Sequence, residues 1–342
     1  MPAVPPPDRV PPHTATRSQT IAEVELSTRA LRSRDPAGLG AWRAGVDRLP
    51  GIRRAAAALL AGVLLAGCSN LGLPQVHRDF AGLPADADPK SFTCCHDPER
   101  WPEAVANLSL AIAPVALELN PLDDGDIPGT LTGKTEAHQH IVDTARPLDL
   151  LLFANKTYIG GRFVPGRFTH SAIYLGTERE LRAAGLWNDP AFVPLHDQIR
   201  AGQIFLEAFR PEVRLIDPAT LLQTDSVAIL RPRLSPGQRR EAARRGVSKL
   251  GVPFDYWFDS RTTDTLACTE LIAYAMPWIQ FEETVSYGRP AVMPDSMVAQ
   301  GIRGEGLSFV EHVRGVEGGG YVVEGPRGAM QDIAAFWGPP PV

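Results

Sequence analysis

The sequence predicts an α+β fold, with a strand-rich core followed by helices that open at recognisable capping signals. Short apolar or β-branched runs cluster between residues 148 and 231, punctuated by Gly, Pro and Asp. Leu148–Ala154 is short and apolar, as a buried strand requires. Thr169–Gly176, Gln203–Phe209, Glu212–Ile216 and Ser226–Arg231 follow it. The second observation is Ser235-Pro236-Gly237-Gln238, which offers an N-cap serine and a first-turn proline to a helix ending near Leu250. The third is the run Ala267–Ile279, helical in pattern with Pro277 near its end; Pro294-Asp295 starts a further helix. Leu307–Val313 and Gly320–Val323 read as late strands. Upstream, residues 98–119 read as a helix kinked at Pro114, residues 120–133 as a loop, and residues 134–144 as a short helix. There is no internal repeat, and 342 residues that are 44% apolar suffice for one large domain or two small ones.

Charge excludes one class of partner. The chain holds 34 Lys and Arg against 39 Asp and Glu; residues 1–67 take nine arginines and five acids of these, leaving −9 from residue 68 onward. A mature part this acidic argues against nucleic acid, because neutralising phosphates requires clustered cations.

The start of the chain reads as an export signal. Arg53-Arg54 precedes the apolar run 55–67, which ends in small residues before Cys68. Thirteen helical residues rise only ~20 Å, too little to cross a ~30 Å hydrocarbon core. Leu65-Ala66-Gly67-Cys68 resembles the bacterial lipobox, which implies acylation of Cys68 as the first residue of the mature protein. The competing reading is a buried apolar helix with a chance cysteine. Several acyl chains give stable anchoring, and Ser69 after the cysteine favours, by analogy with enterobacterial sorting, the outer membrane facing the periplasm. The expected organisation is therefore residues 1–50 as a disordered extension or mis-assigned start, 51–67 as signal peptide and 68–91 as lipid-anchored tether. A helical segment, 92–145, then precedes the main, strand-rich domain spanning 146–342.

The four cysteines, Cys68, Cys94, Cys95 and Cys268, contain no C-x-x-C pair, so neither a structural zinc nor a disulfide framework is indicated. Adjacent Cys94 and Cys95 chelate a single ion poorly and read as a buried pair or a partly oxidised one. Cys268 follows Thr262-Thr263-Asp264-Thr265 and opens a helix, where unpaired backbone N–H groups and the helix dipole favour thiolate; Thr269 and these N–H groups are candidate oxyanion contacts. A small buried core residue is the bland alternative. His170 begins an apolar strand after the glycine-containing stretch 159–166. Glu207 lies within Ile-Phe-Leu-Glu-Ala-Phe, and a carboxylate among such neighbours is costly unless paired, with an imidazolium as one natural partner and a solvated strand face as the alternative. His138 and His140 are assigned to a solvated surface. So is the stripe Arg239, Arg240, Arg244 and Arg245, with anionic lipid or cell-wall polymer as its second reading. His196 is a spare candidate base.

Arg-Pro-Leu-Asp-Leu-Leu-Leu-Phe, Gly-Arg-Phe-Thr-His-Ser-Ala-Ile-Tyr-Leu-Gly, Phe-Leu-Glu-Ala, Gly-Val-Pro-Phe-Asp-Tyr and Cys-Thr-Glu-Leu-Ile occur in that order. This series resembles the permuted papain-like amidases of the YaeF/YiiX group, relatives of the NlpC-type cell-wall hydrolases. The resemblance spans about residues 146–300, including Met-Pro-Asp-Ser after the nucleophile helix. It implies a circularly permuted papain-like fold, an antiparallel sheet packed against the nucleophile helix, and a triad in the order His170, Glu207, Cys268. The group usually has tyrosine where this chain has Phe254, so Tyr256 is the candidate substitute for a substrate or oxyanion contact. YaeF-like members are also predicted lipoproteins, in agreement with Cys68.

The expected activity is cysteine amidase or peptidase chemistry on cell-wall peptide, requiring no metal or organic cofactor. The expected partners are a lipid membrane, through acylated Cys68, and a peptide or acyl substrate such as peptidoglycan, without nucleic acid. Two alternatives stand beside it: a lipid-directed acyl hydrolase or acyltransferase, and a non-catalytic binding lipoprotein using the same cleft.

Overall fold

A computed structural model describes residue 83 and residues 86–95, 128–155, 164–286 and 289–337. All of them fall in the compact unit Leu73–Val342. Cys68, the apolar run before it and the expected helix at 98–119 lie outside the described residues.

The fold is α+β, built on a seven-stranded sheet. Its strands are β1 (Leu150–Ala154), β2 (His170–Tyr174), β3 (Phe205–Ala208), β4 (Val213–Ile216), β5 (Ser226–Pro232), β8 (Leu307–Gly315) and β9 (Tyr321–Glu324). The order across the sheet is β4-β3-β2-β1-β5-β8-β9, and every neighbouring pair is antiparallel. The central strand β1 is buried at all five positions, which explains why it reads as an unbroken apolar run rather than an alternating one. A separate hairpin joins β6 (Glu283–Ser286) to β7 (Arg289–Val292).

The helices in chain order are α1 (Thr135–Thr144), α2 (Glu178–Ala183), α3 (His196–Arg200), α4 (Pro218–Leu221), α5 (Pro236–Val247), α6 (Cys268–Ala275), α7 (Pro294–Arg303) and α8 (Pro326–Trp337). Ser235 caps α5 as the sequence predicts, and Gln238 returns a hydrogen bond to the cap. Cross-strand partners share a face of the sheet. Leu206, Ile173, Leu150 and Leu230 are linked in this way, so they form one apolar face. Gly246 of α5 approaches Leu206 and Ile173, and Gly301 of α7 approaches Leu230, so both helices cover that face. α6 packs beside α5 and against β2 and β3.

A strap of chain closes over the ends of β5 and β8. Leu131 donates its N–H to the Thr224 carbonyl at 2.8 Å, and Gly315 donates to the Asp225 carbonyl at 2.9 Å. A Cβ at Gly129 would fall 2.1 Å from the Thr224 carbonyl carbon, and one at Gly315 would fall 2.4 Å from that of Thr130. The main chains touch here, and only hydrogen fits between them.

Under the sheet, Asp149 is fully buried and is held by Arg231 through contacts of 2.7, 2.9 and 3.2 Å. Burial pushes its carboxyl above the usual range despite the guanidinium.

Candidate active site

The site is assembled where α6 meets the first residues of β2 and the end of β3. In the register that pairs Ile173 with Leu206, Glu207 continues one residue beyond, diagonal to His170 and on the same face. The His170 Nε2 lies 2.7 Å from Glu207 Oε2. Arg214, the cross-strand partner of Glu207 on β4, donates to its other oxygen at 2.9 Å. Glu207 is thus a carboxylate only 1% exposed whose two oxygens are both engaged. Burial raises its affinity for a proton, but His170 and Arg214 outweigh that and hold it ionised below the ordinary carboxylate value. Phe153 lies along the imidazole with ring centres 5.7 Å apart, and Phe209 meets it edge-on at 5.5 Å. These rings restrict its rotation.

Cys268 is the first residue of α6. Ala267, in extended conformation, is the N-cap, and Glu270 reaches back to accept its N–H at 2.7 Å. The backbone N–H groups of Cys268 and Thr269 have no acceptor within the helix, as at any helix start. α6 packs against β2, and Cys268 and His170 lie close enough for each to shift the other's titration. Glu207 occupies Nε2, so Nδ1 is the nitrogen left for the thiol. Burial disfavours an ionised sulfur, yet His170 more than compensates and the thiol titrates below its ordinary value. Burial likewise lowers the imidazole, while Cys268 and Glu207 together lift it to about 10. Opposite shifts of this kind favour a thiolate–imidazolium pair over the neutral one.

Cys268 is among the residues lining a pocket. Thr269 and Glu270 line it beside Cys268, and Val164, Phe258, Val292 and Met293 supply apolar wall. Glu270 is 6% exposed, and its Oε1 has no hydrogen-bond partner. Desolvation, reinforced by Asp255 and Asp259 nearby, pushes its carboxyl up to about 7 although the Ala267 N–H opposes the rise.

Of the residues singled out from sequence, His170, Glu207, Cys268 and Thr269 come together. Tyr256 does not join the residues lining the pocket; it packs edge-on to Phe254 at 5.2 Å, and Phe258 stands in the wall instead. His196 is no spare base: its ring stacks on Trp187 at 3.7 Å and its Nε2 meets the Trp187 carbonyl. His138 and His140 are half-buried rather than solvated, the first against the Leu131 carbonyl and the second against Glu311. The arginine stripe is largely fastened: Arg239 to the Pro147 carbonyl, Arg244 to Asp189, and Arg245 to the Tyr274 carbonyl. Cys94 and Cys95 are buried and joined to each other. With Asp295 they form the group of potential metal ligands among the described residues. It does not fit an ion: the sulfurs are spent on one another, and the carboxylate already accepts three N–H donors.

Asp295, buried beneath the turn that precedes His170, is a residue that sequence reasoning did not single out. It was visible only as part of Met-Pro-Asp-Ser at a helix start, whereas its partners come from elements 127 residues before it and 42 after it. No family model matches the chain, and neither a curated protein nor a solved structure matches it.

Proposed function

We propose that the chain is a cysteine hydrolase of the permuted papain-like type, in which Cys268 is the nucleophile, His170 the general base and acid, and Glu207 the residue that orients the imidazole. The observation that carries this reading is the His170 ring bonded to the buried Glu207 carboxylate, beside the helix start that bears Cys268. The Cys268 thiolate attacks an amide or ester carbonyl. The tetrahedral oxyanion is met by the N–H groups that open α6, and imidazolium protonates the leaving amine or alcohol. Water then attacks the thioester, with neutral His170 taking its proton, and the acid leaves as the thiolate–imidazolium pair is restored. Glu207 stays ionised throughout and fixes which ring nitrogen faces the sulfur. No step calls on a metal or organic cofactor.

Cell-wall peptide, in the envelope, is the proposed substrate. The apolar wall beside the sulfur favours a second reading, an acyl group drawn from lipid, and the two differ in what the pocket must hold. Incubating the full chain with peptidoglycan fragments and, separately, with phospholipid vesicles distinguishes them by the product released. A Cys268→Ala chain should be inert toward both. A thiol-directed activity probe that labels wild type and Cys268→Ala equally would remove Cys268 as the nucleophile and favour a non-catalytic binding protein. We further propose that Cys68 is acylated after loss of residues 1–67, which anchors the enzyme to the outer membrane. Mass spectrometry of the membrane-extracted protein should find a lipidated N-terminal Cys68, and an unmodified Cys68 with the leader attached rules the anchor out.

A further inference from the structure

We propose that Asp295 is a positioning residue for the catalytic histidine, clamping the turn that delivers His170 to Cys268; this rests on the hydrolase reading above. Asp295 is the second residue of α7 and is fully buried. Its Oδ2 accepts the Arg167 N–H at 2.7 Å and its Oδ1 accepts the Phe168 N–H at 2.6 Å. Oδ2 also accepts the Trp337 indole N–H from α8 at 2.8 Å. Two of these donors therefore belong to consecutive peptide units ending two residues before His170.

The neighbouring contacts point the same way. Gly166 has φ of +116°, and a Cβ there would lie 2.6 Å from Asp295 Oδ2, so the turn is pressed directly onto the carboxylate. The Arg167 side chain leaves in another direction to pair with Asp332 of α8 at 2.8 Å. Phe168 is fully buried, and the Thr169 N–H then enters the sheet on the Phe153 carbonyl. From Gly166 to Thr169 each residue is fixed by backbone or packing, and His170 begins β2 immediately afterwards. A carboxylate is suited to this because it offers two oxygens to converging N–H donors at once. The amide of Asn offers one oxygen and sets an N–H₂ against the other donor. The helix start also favours a negative charge at this position.

Iodoacetamide alkylation of Cys268 in the full chain, followed across pH by mass spectrometry of the Cys268 peptide, tests the inference without any substrate. In wild type the thiolate limb should lie below that of an ordinary cysteine, ~8.5, and His170→Ala should move it upward. Asp295→Asn should move it in the same direction by about one pH unit, since the imidazolium is held less closely to the sulfur. A folded Asp295→Asn protein with the wild-type limb overturns the positioning role while the hydrolase reading stands. A wild-type limb at the ordinary value, unmoved by His170→Ala, overturns the hydrolase reading itself. If Asp295→Asn does not fold, Gly166→Ala pushes the turn off the carboxylate from the opposite side. It must raise the limb as well, and an unchanged limb there overturns the proposal.

Discussion

Replacing Glu207 by Gln preserves the shape of the side chain and removes its charge. The wild-type carboxylate accepts a 2.7 Å hydrogen bond from His170 while 1% exposed, so solvent does little to screen the loss. A hydrogen bond to a charged group contributes ~1.5–3 kcal/mol and a neutral one ~0.5–1.5 kcal/mol, which makes the charge worth about 1–2 kcal/mol to the imidazolium. At 1.36 kcal/mol per unit this is about one pH unit. The sign follows from which proton is involved. The thiolate–imidazolium pair persists until the ring deprotonates, at about 10 in the wild type. Without the carboxylate the ring releases its proton sooner, so the alkaline limb of kcat/KM should fall by about one unit. The acid limb belongs to the sulfur and should stay nearly in place. At the plateau the rate should drop roughly tenfold, less than the complete loss expected of Cys268→Ala, because orientation is weakened while the nucleophile remains. The assay is hydrolysis of the substrate identified in the screen, measured from pH 5 to 11. A Glu207→Gln enzyme within twofold of wild type, with an unmoved alkaline limb, refutes the assignment of Glu207.

Three further outcomes are expected. Glu270→Gln keeps an oxygen for the Ala267 N–H but cannot ionise. The native carboxyl titrates at about 7 against 4.5 unfolded, so it costs nothing below pH 4.5 and destabilises progressively up to pH 7. Thermal unfolding should therefore find Glu270→Gln equal to wild type at pH 4 and more stable at pH 8, by up to ~3 kcal/mol, and a variant less stable at pH 8 contradicts this. Arg231→Ala strands the fully buried Asp149 carboxylate and should cost ~3–5 kcal/mol in urea unfolding, with a loss below 1 kcal/mol counting against the ion pair's role. The Cys94→Ser, Cys95→Ser double variant should retain most turnover if folded, since the two sulfurs are joined to each other and neither opens a helix beside a histidine; a loss as deep as that of Cys268→Ala would move the nucleophile.

Most of the sheet was legible because its strands are short, apolar and bounded by turn residues. Leu150–Ala154 announces a central strand through the absence of alternation, and Ser235-Pro236 announces a helix through local chemistry alone. The β6–β7 hairpin was not legible: Glu283–Ser286 and Arg289–Val292 carry a proline, charges and exposed positions, with little apolar patterning. Within the site, Glu207 stood out because its neighbours are large and apolar, and Cys268 because a polar run gives way to a helix. What sequence withholds is long-range pairing. Nothing local to Trp337 says that its indole reaches Asp295, and nothing in the spacing of the arginines on α5 says that three of them are tied to carbonyls and an acid.

The contact of main chains at Gly129 and Gly315 bears on how kinship to this protein is to be recognised. Both obstacles are peptide carbonyls, which cannot swing aside as a side chain would. Even alanine is excluded at either position unless the whole crossing is rebuilt, so drift that replaces core residues by others of similar volume has no such latitude here. A chain that keeps this crossing therefore needs glycine at both positions, each for its own obstacle. Glycine at both positions, set beside the histidine, the acid and the cysteine in that order, is therefore what this crossing asks of any chain that shares it.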